Sequence, residues 1–109
     1  MMHPQWQTVN SEIAKLTGAL DRDKVPLLWQ TLQQWQPETG QFEVSLQNVE
    51  RIDSAGMVML IHLIEHAKKR NCHIMLSFVP EELRTLIQLS NIEELMSQHI
   101  QISNGVNCG

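Results

Sequence analysis

Between Phe42 and Val79 the hydrophobic pattern changes period twice, and this constrains the fold more than any other feature of the chain. Phe42, Val44 and Leu46 alternate with polar residues, which is the signature of a half-buried strand. After a short connection, Gln47 to Ile52, and the pair Asp53-Ser54, apolar residues recur at helical spacing from about Ala55 to Arg70, where Asn71-Cys72 ends the helix. His73 to Val79 is then an almost continuous apolar run, as expected of a strand buried on both faces. A strand, a long helix and a buried strand in succession call for a parallel sheet with helices packed on it.

The flanking segments extend this plan. Trp6 to Leu20 reads as two short strands around a turn at Asn10-Ser11, with Glu12 to Leu16 alternating polar and apolar. Asp21 precedes a helix from Val25 to near Trp35, in which Pro26 occupies the first turn, where proline is tolerated. Pro37 to Gly40 breaks the chain. Pro80-Glu81-Glu82 opens a further helix with a buried stripe at Leu83, Leu86, Ile87 and Leu89, and Ile92, Leu95 and Met96 suggest a last helical turn. The order is β-β-α-β-α-β-α. We assign residues 1–96 to one α/β domain with a mixed, mostly parallel sheet of four to five strands. Residues 97–109 form a polar tail, expected to be mobile or to add one short strand.

Composition narrows the function. The 109 residues suit one domain, and 42% apolar residues allow a real core. The net charge is −4, and the one cationic run, Lys68-Lys69-Arg70, falls where it complements a helix C-terminus, so no nucleic acid is expected as partner. Cys72 and Cys108 have no Cys-x-x-Cys or zinc spacing, which fits a reducing compartment. The first residues lack the pattern of a signal peptide. The longest apolar stretch, Ala55 to Ile64, is about half the ~20 residues of a membrane span. A cytoplasmic protein is expected.

The long helix carries the candidate site. Projected at 100° per residue, Gly56, Leu60, Leu63, Ile64 and Ala67 share the core face, with Met57 and Ile61 at its edge. Ala55, Val58, Met59, His62, Glu65, His66 and Lys69 lie opposite. The C-terminal half of that outer face is polar, but Ala55, Val58 and Met59 would expose an apolar patch beside Ser54, and such patches mark contact sites. Ser54 reads as a helix N-cap, a role Asp53 could share. A phosphate at Ser54 would suit a helix N-terminus yet oppose an apolar contact at Val58 and Met59, so the position can serve as a switch.

The run Val49 to Met57, with Asp53-Ser54-Ala55-Gly56 at a strand-to-helix junction, resembles the Asp-Ser/Thr-x-Gly-Leu signature of STAS domains, the family of the anti-sigma-factor antagonists. Leu60 to Lys69 is similar to the MlaB-like members, the STAS subunits of a phospholipid ABC transport system, and the likeness runs from about Trp6 to Met96. The resemblance implies the STAS fold and a non-catalytic accessory subunit without cofactor. It further implies binding to the transporter's ATPase subunit and support of its assembly and activity, at the cytoplasmic side of the inner membrane, in maintenance of outer-membrane lipid asymmetry. Ser54 takes the family's phosphorylation or contact position. Many antagonists carry a second hydroxyl where this chain has Ala55, which weakens the alternative of an anti-sigma-factor antagonist paired with an anti-sigma-factor kinase. The expected partner surface is Asp53, Ser54, Ala55, Gly56, Val58, Met59 and His62; the same patch could pair two copies weakly.

Other motifs carry less. His62-Leu63-Ile64-Glu65-His66 matches an inverted zinc-peptidase pattern, but no third ligand motif accompanies it, so it is read as a solvated helix face with no metal. His3, His73 and His99 are read as surface or sheet residues, and Trp6, Trp29 and Trp35 as packing residues.

Overall fold

The computed structural model describes residues 3–100. The elements are β1 (Trp6–Thr8), β2 (Ile13–Leu20), α1 (Val25–Leu32), β3 (Gln41–Ile52), α2 (Ser54–Lys68), β4 (His73–Ser77), α3 (Glu81–Leu89) and α4 (Glu93–Ser97). The four strands form one mixed sheet in the order β1-β2-β3-β4, antiparallel between β1 and β2 and parallel thereafter. The β1–β2 turn is made as the sequence suggests: Asn10 Oδ1 accepts the Glu12 and Ile13 N–H groups at 2.7 and 3.0 Å.

Alternate residues of the strands build the core. Ala14, Leu16 and Leu20, then Phe42, Val44 and Leu46, then Ile74 and Leu76, are all buried, while Lys15 and Gln47 are exposed. Helix α2 lies across β2, β3 and β4, and α1 and α3 each pack against it. Because β2, β3 and β4 are parallel, the helices that follow them all start at the same end of the sheet. Ser54 therefore shares that end with the first turns of α1 and α3. Asn71 (φ 62°) takes the left-handed position after α2, and the Cys72 N–H returns to the Ala67 carbonyl at 2.9 Å, closing a Schellman-type end.

The structure departs from the sequence expectation in several places, one being that β4 ends at Ser77 and Phe78, inside the expected strand, is 51% exposed. Gln47 to Ile52 is not a connection: β3 continues through it, held in register by β2 from Thr17↔Asn48 to Leu20↔Ile52. Helix α1 ends at Leu32 rather than near Trp35, and the chain leaves through tighter turns at Gln34 and Trp35. Leu89 is exposed, because the stripe of α3 that meets the core is Leu83 and Ile87. His99 is buried. The backbone beyond Met96 runs beside β4, where Leu76 N–H donates to the His99 carbonyl at 2.7 Å and Ile100 bridges Leu76. Of the tail, residues 101–109 lie outside the described residues, Cys108 among them.

Candidate functional site

Two aspartates close the two adjacent β–α junctions. Leu20 and Ile52 are register partners at the ends of β2 and β3, and each is followed by an aspartate. Asp53 is the N-cap of α2: its Oδ1 accepts the Ala55 and Gly56 N–H groups at 2.9 and 3.2 Å. Ser54, the other candidate cap, is the first residue of the helix and is exposed. The reason is backbone geometry: the cap residue must be extended, and Asp53 (φ −118°, ψ −170°) is the last extended residue. Asp53 Oδ2 also accepts the Arg22 N–H at 3.2 Å, which joins the start of α2 to the turn before α1.

Asp21 does the corresponding work for α1. Its Oδ1 accepts the Asp23 and Lys24 N–H groups at 3.1 Å each, and its Oδ2 accepts Arg51 Nη2 at 2.9 Å and Nε at 3.3 Å. The Arg51 guanidinium bonded to it holds the Asp21 carboxyl below the usual carboxylate range. Asp21, Arg22, Asp23, Arg51, Ile52, Asp53 and Glu82 bound a charged hollow of about 320 Å³ at the carboxyl ends of the strands.

Beside this hollow, the first turns of α1 and α2 leave an apolar groove of about 440 Å³. Val25, Pro26 and Trp29 form one wall; Ser54, Ala55, Val58, Met59 and His62 form the other. Five of the seven residues expected at the partner surface therefore line one groove. Val58 is 44% exposed, but Met59 is 2% exposed. A single-helix projection places Met59 outside because it does not contain α1, which packs along α2 and faces that residue across the groove. Gly56 is also buried and does not reach the surface. A Cβ there would collide with the Leu20 carbonyl and lie 2.8 Å from Ile52 Cγ1, so this glycine is what lets α2 approach the end of β2. Asp53 acts from beneath, as the cap.

The α1 wall is not legible in the sequence pattern, where Val25 and Pro26 mark a helix start and Trp29 a packing residue. Pro26 and Leu27 are exposed at the start of α1, with Leu27 at 63%, and Val25-Pro26-Leu27 was the available signal. Trp29 lies tilted against His62 (centroids 5.8 Å) and edge-on to His66 (6.4 Å), while His66 Nε2 is 2.7 Å from the Trp35 carbonyl. The two histidines of the His-x-x-Glu-His pattern thus face the aromatic residues of α1 and the loop after it. Ser54 and His62 line the groove eight residues apart, about 12 Å along the helix, too far for a serine and its general base. A larger hollow, about 630 Å³, opens beside Gln41 to Glu43 at the start of β3, the opposite end of that strand from Ser54.

Comparisons with known proteins bear on the family and the fold. The family model described as "Mlab, STAS domain" matches residues 5–98. The Escherichia coli (strain K12) protein named intermembrane phospholipid transport system binding protein MlaB is 32% identical over 87 residues, covering 80% of this chain and 87% of that protein. Among solved structures, a sulfate transporter family protein from Wolinella succinogenes is similar at 25% identity and a TM-score of 0.64, over 82% of this chain and 74% of that one. The anti-sigma factor antagonist SpoIIAA in its unphosphorylated form shares the fold at 16% identity and a TM-score of 0.67, over 89% and 84% of the two chains.

Proposed function

The chain belongs to the STAS-domain family in its MlaB branch, and from that premise we propose that it is a non-catalytic accessory subunit that binds the ATPase of a phospholipid ABC transporter. It supports assembly and activity of that ATPase at the cytoplasmic face of the inner membrane, and so the maintenance of outer-membrane lipid asymmetry. The observation that carries this reading is the apolar groove between α1 and α2, with Ser54 at its mouth and Val58 in its wall. Apolar surface held open between two helices is costly in water and is relieved when a partner fills it. Among the described residues no helix is long and apolar enough to cross a membrane; in this reading the chain is held at the membrane by its partner. Ser54 is exposed at a helix N-terminus. A phosphate there would set two negative charges at the rim of the groove and weaken docking.

Co-purification with the ATPase subunit from the same organism tests the reading. The unmodified chain is expected to retain the ATPase, and Val58→Asp to lose it while keeping its circular dichroism spectrum. Undiminished retention by Val58→Asp would refute the groove as the docking site. Recovery of a serine-kinase-type anti-sigma factor instead, with Ser54 phosphorylated, would replace the transporter reading by that of an antagonist.

A further inference from the structure

We propose that Asp21 and Arg51 are positioning residues that set the spacing of the α1–α2 groove, an inference that rests on the groove being the docking surface. Helix α1 has no cap of its own: Lys24, at the cap position, makes no side-chain cap bond. The turn Asp21–Lys24 supplies what is missing. The Asp21 carboxylate takes two of its N–H groups, and the Asp21 carbonyl accepts Lys24 and Val25 N–H at 3.0 and 2.9 Å. The residues that follow at once, Val25 and Pro26, are the outer end of the groove wall. Farther along, α1 is held by burial of Leu28 and Leu32. Its near end is held by the Asp21 turn and by the Arg22–Asp53 bond to the cap of α2.

Arg51 contributes orientation rather than packing. Its side chain is 67% exposed, while that of Asp21 is 12% exposed. The guanidinium takes Oδ2 through two N–H donors and leaves Oδ1 turned to the Asp23 and Lys24 amides, so the carboxylate has one arrangement. The other charged groups around it are Arg22, Asp23 and Lys24 on its own turn and, across the hollow, Asp53 before α2 and Glu82 of α3. Loss of Arg51 frees the carboxylate to rotate, and the first turn of α1 then shifts relative to Val58 without unfolding the core.

The test uses the full chain with Asp21→Asn, Arg51→Gln and Arg51→Lys, and has two readouts. The first is affinity for the ATPase subunit. Asp21→Asn and Arg51→Gln are expected to raise the dissociation constant about threefold, the scale of an ion pair whose arginine is largely exposed, with Arg51→Lys recovering part of the loss. The second needs no partner: the indole N–H resonance of Trp29, in the groove wall, should move in a ¹⁵N spectrum. Those of Trp6 and Trp35, which pack together at 5.7 Å in a cluster with Phe42, should stay in place. An unmoved Trp29 resonance would overturn the inference whatever the groove binds. A moved Trp29 with unchanged affinity, while Val58→Asp abolishes binding, would overturn the positioning role and leave the docking reading intact.

Discussion

The backbone N–H of Arg22 donates to Asp53 Oδ2 at 3.2 Å, across 31 residues of sequence. One carboxylate thereby caps α2 through its other oxygen and restrains the turn that starts α1. The residue that begins the Asp53-Ser54-Ala55-Gly56 motif is therefore the fixed point of the site, and the side chains that a partner would meet are arranged around it.

Asp53→Ala is expected to cost about 2 kcal/mol, the upper end for an N-cap, because a tertiary bond is lost with the cap. Ser54→Ala should stay within about 0.5 kcal/mol, since Ser54 is exposed and is not the cap. Urea unfolding of both variants checks the order; equal losses would return the capping role to Ser54.

Val58 and Met59 are neighbours with opposite expected outcomes. Val58→Asp adds a charge to a 44% exposed position and should leave the fold intact, whereas Met59→Asp buries an unpaired charge and should cost about 3 kcal/mol or more. Thermal melts of the two proteins distinguish them. A stable Met59→Asp would mean that α1 does not cover that residue.

Gly56→Ala should destabilise by about 3 kcal/mol, the upper range for overpacking, because the added methyl meets backbone and not a flexible side chain. The measurement is the denaturant midpoint. An unchanged midpoint would show that α2 can withdraw from the Leu20 carbonyl without cost.

The Asp21 carboxyl is held below its ordinary range by Arg51, so its ionised form is favoured in the folded protein. The stability this brings is complete above the ordinary carboxylate pKa and is lost as pH falls through the lower folded value. The gap in urea midpoint between the unmodified chain and Asp21→Asn should therefore be constant above about pH 5 and narrow below about pH 4. A gap that widens on acidification would contradict the pairing.

Period and punctuation in the sequence determined the strand–helix order, the parallel sheet and the junction at Asp53-Ser54. These are set by local rules: alternation, helical spacing, and aspartate or proline at a helix start. The same rules put Ala55, Val58 and His62 on one side of a helix next to Ser54, and that side is the inner wall of the groove. The tertiary structure decided what a single-helix projection could not contain. Packing of α1 along α2 covered Met59 and added Val25, Pro26 and Trp29 to the site. Pairing with β2 drew Gln47 to Ile52, polar by pattern, into β3. The close approach of α2 to β2 made Gly56 a packing residue, and contacts across about 30 residues tied Asp21 to Arg51 and Arg22 to Asp53. Burial and ion pairing are properties of neighbours, and those neighbours are chosen by the fold and not by the adjacent sequence.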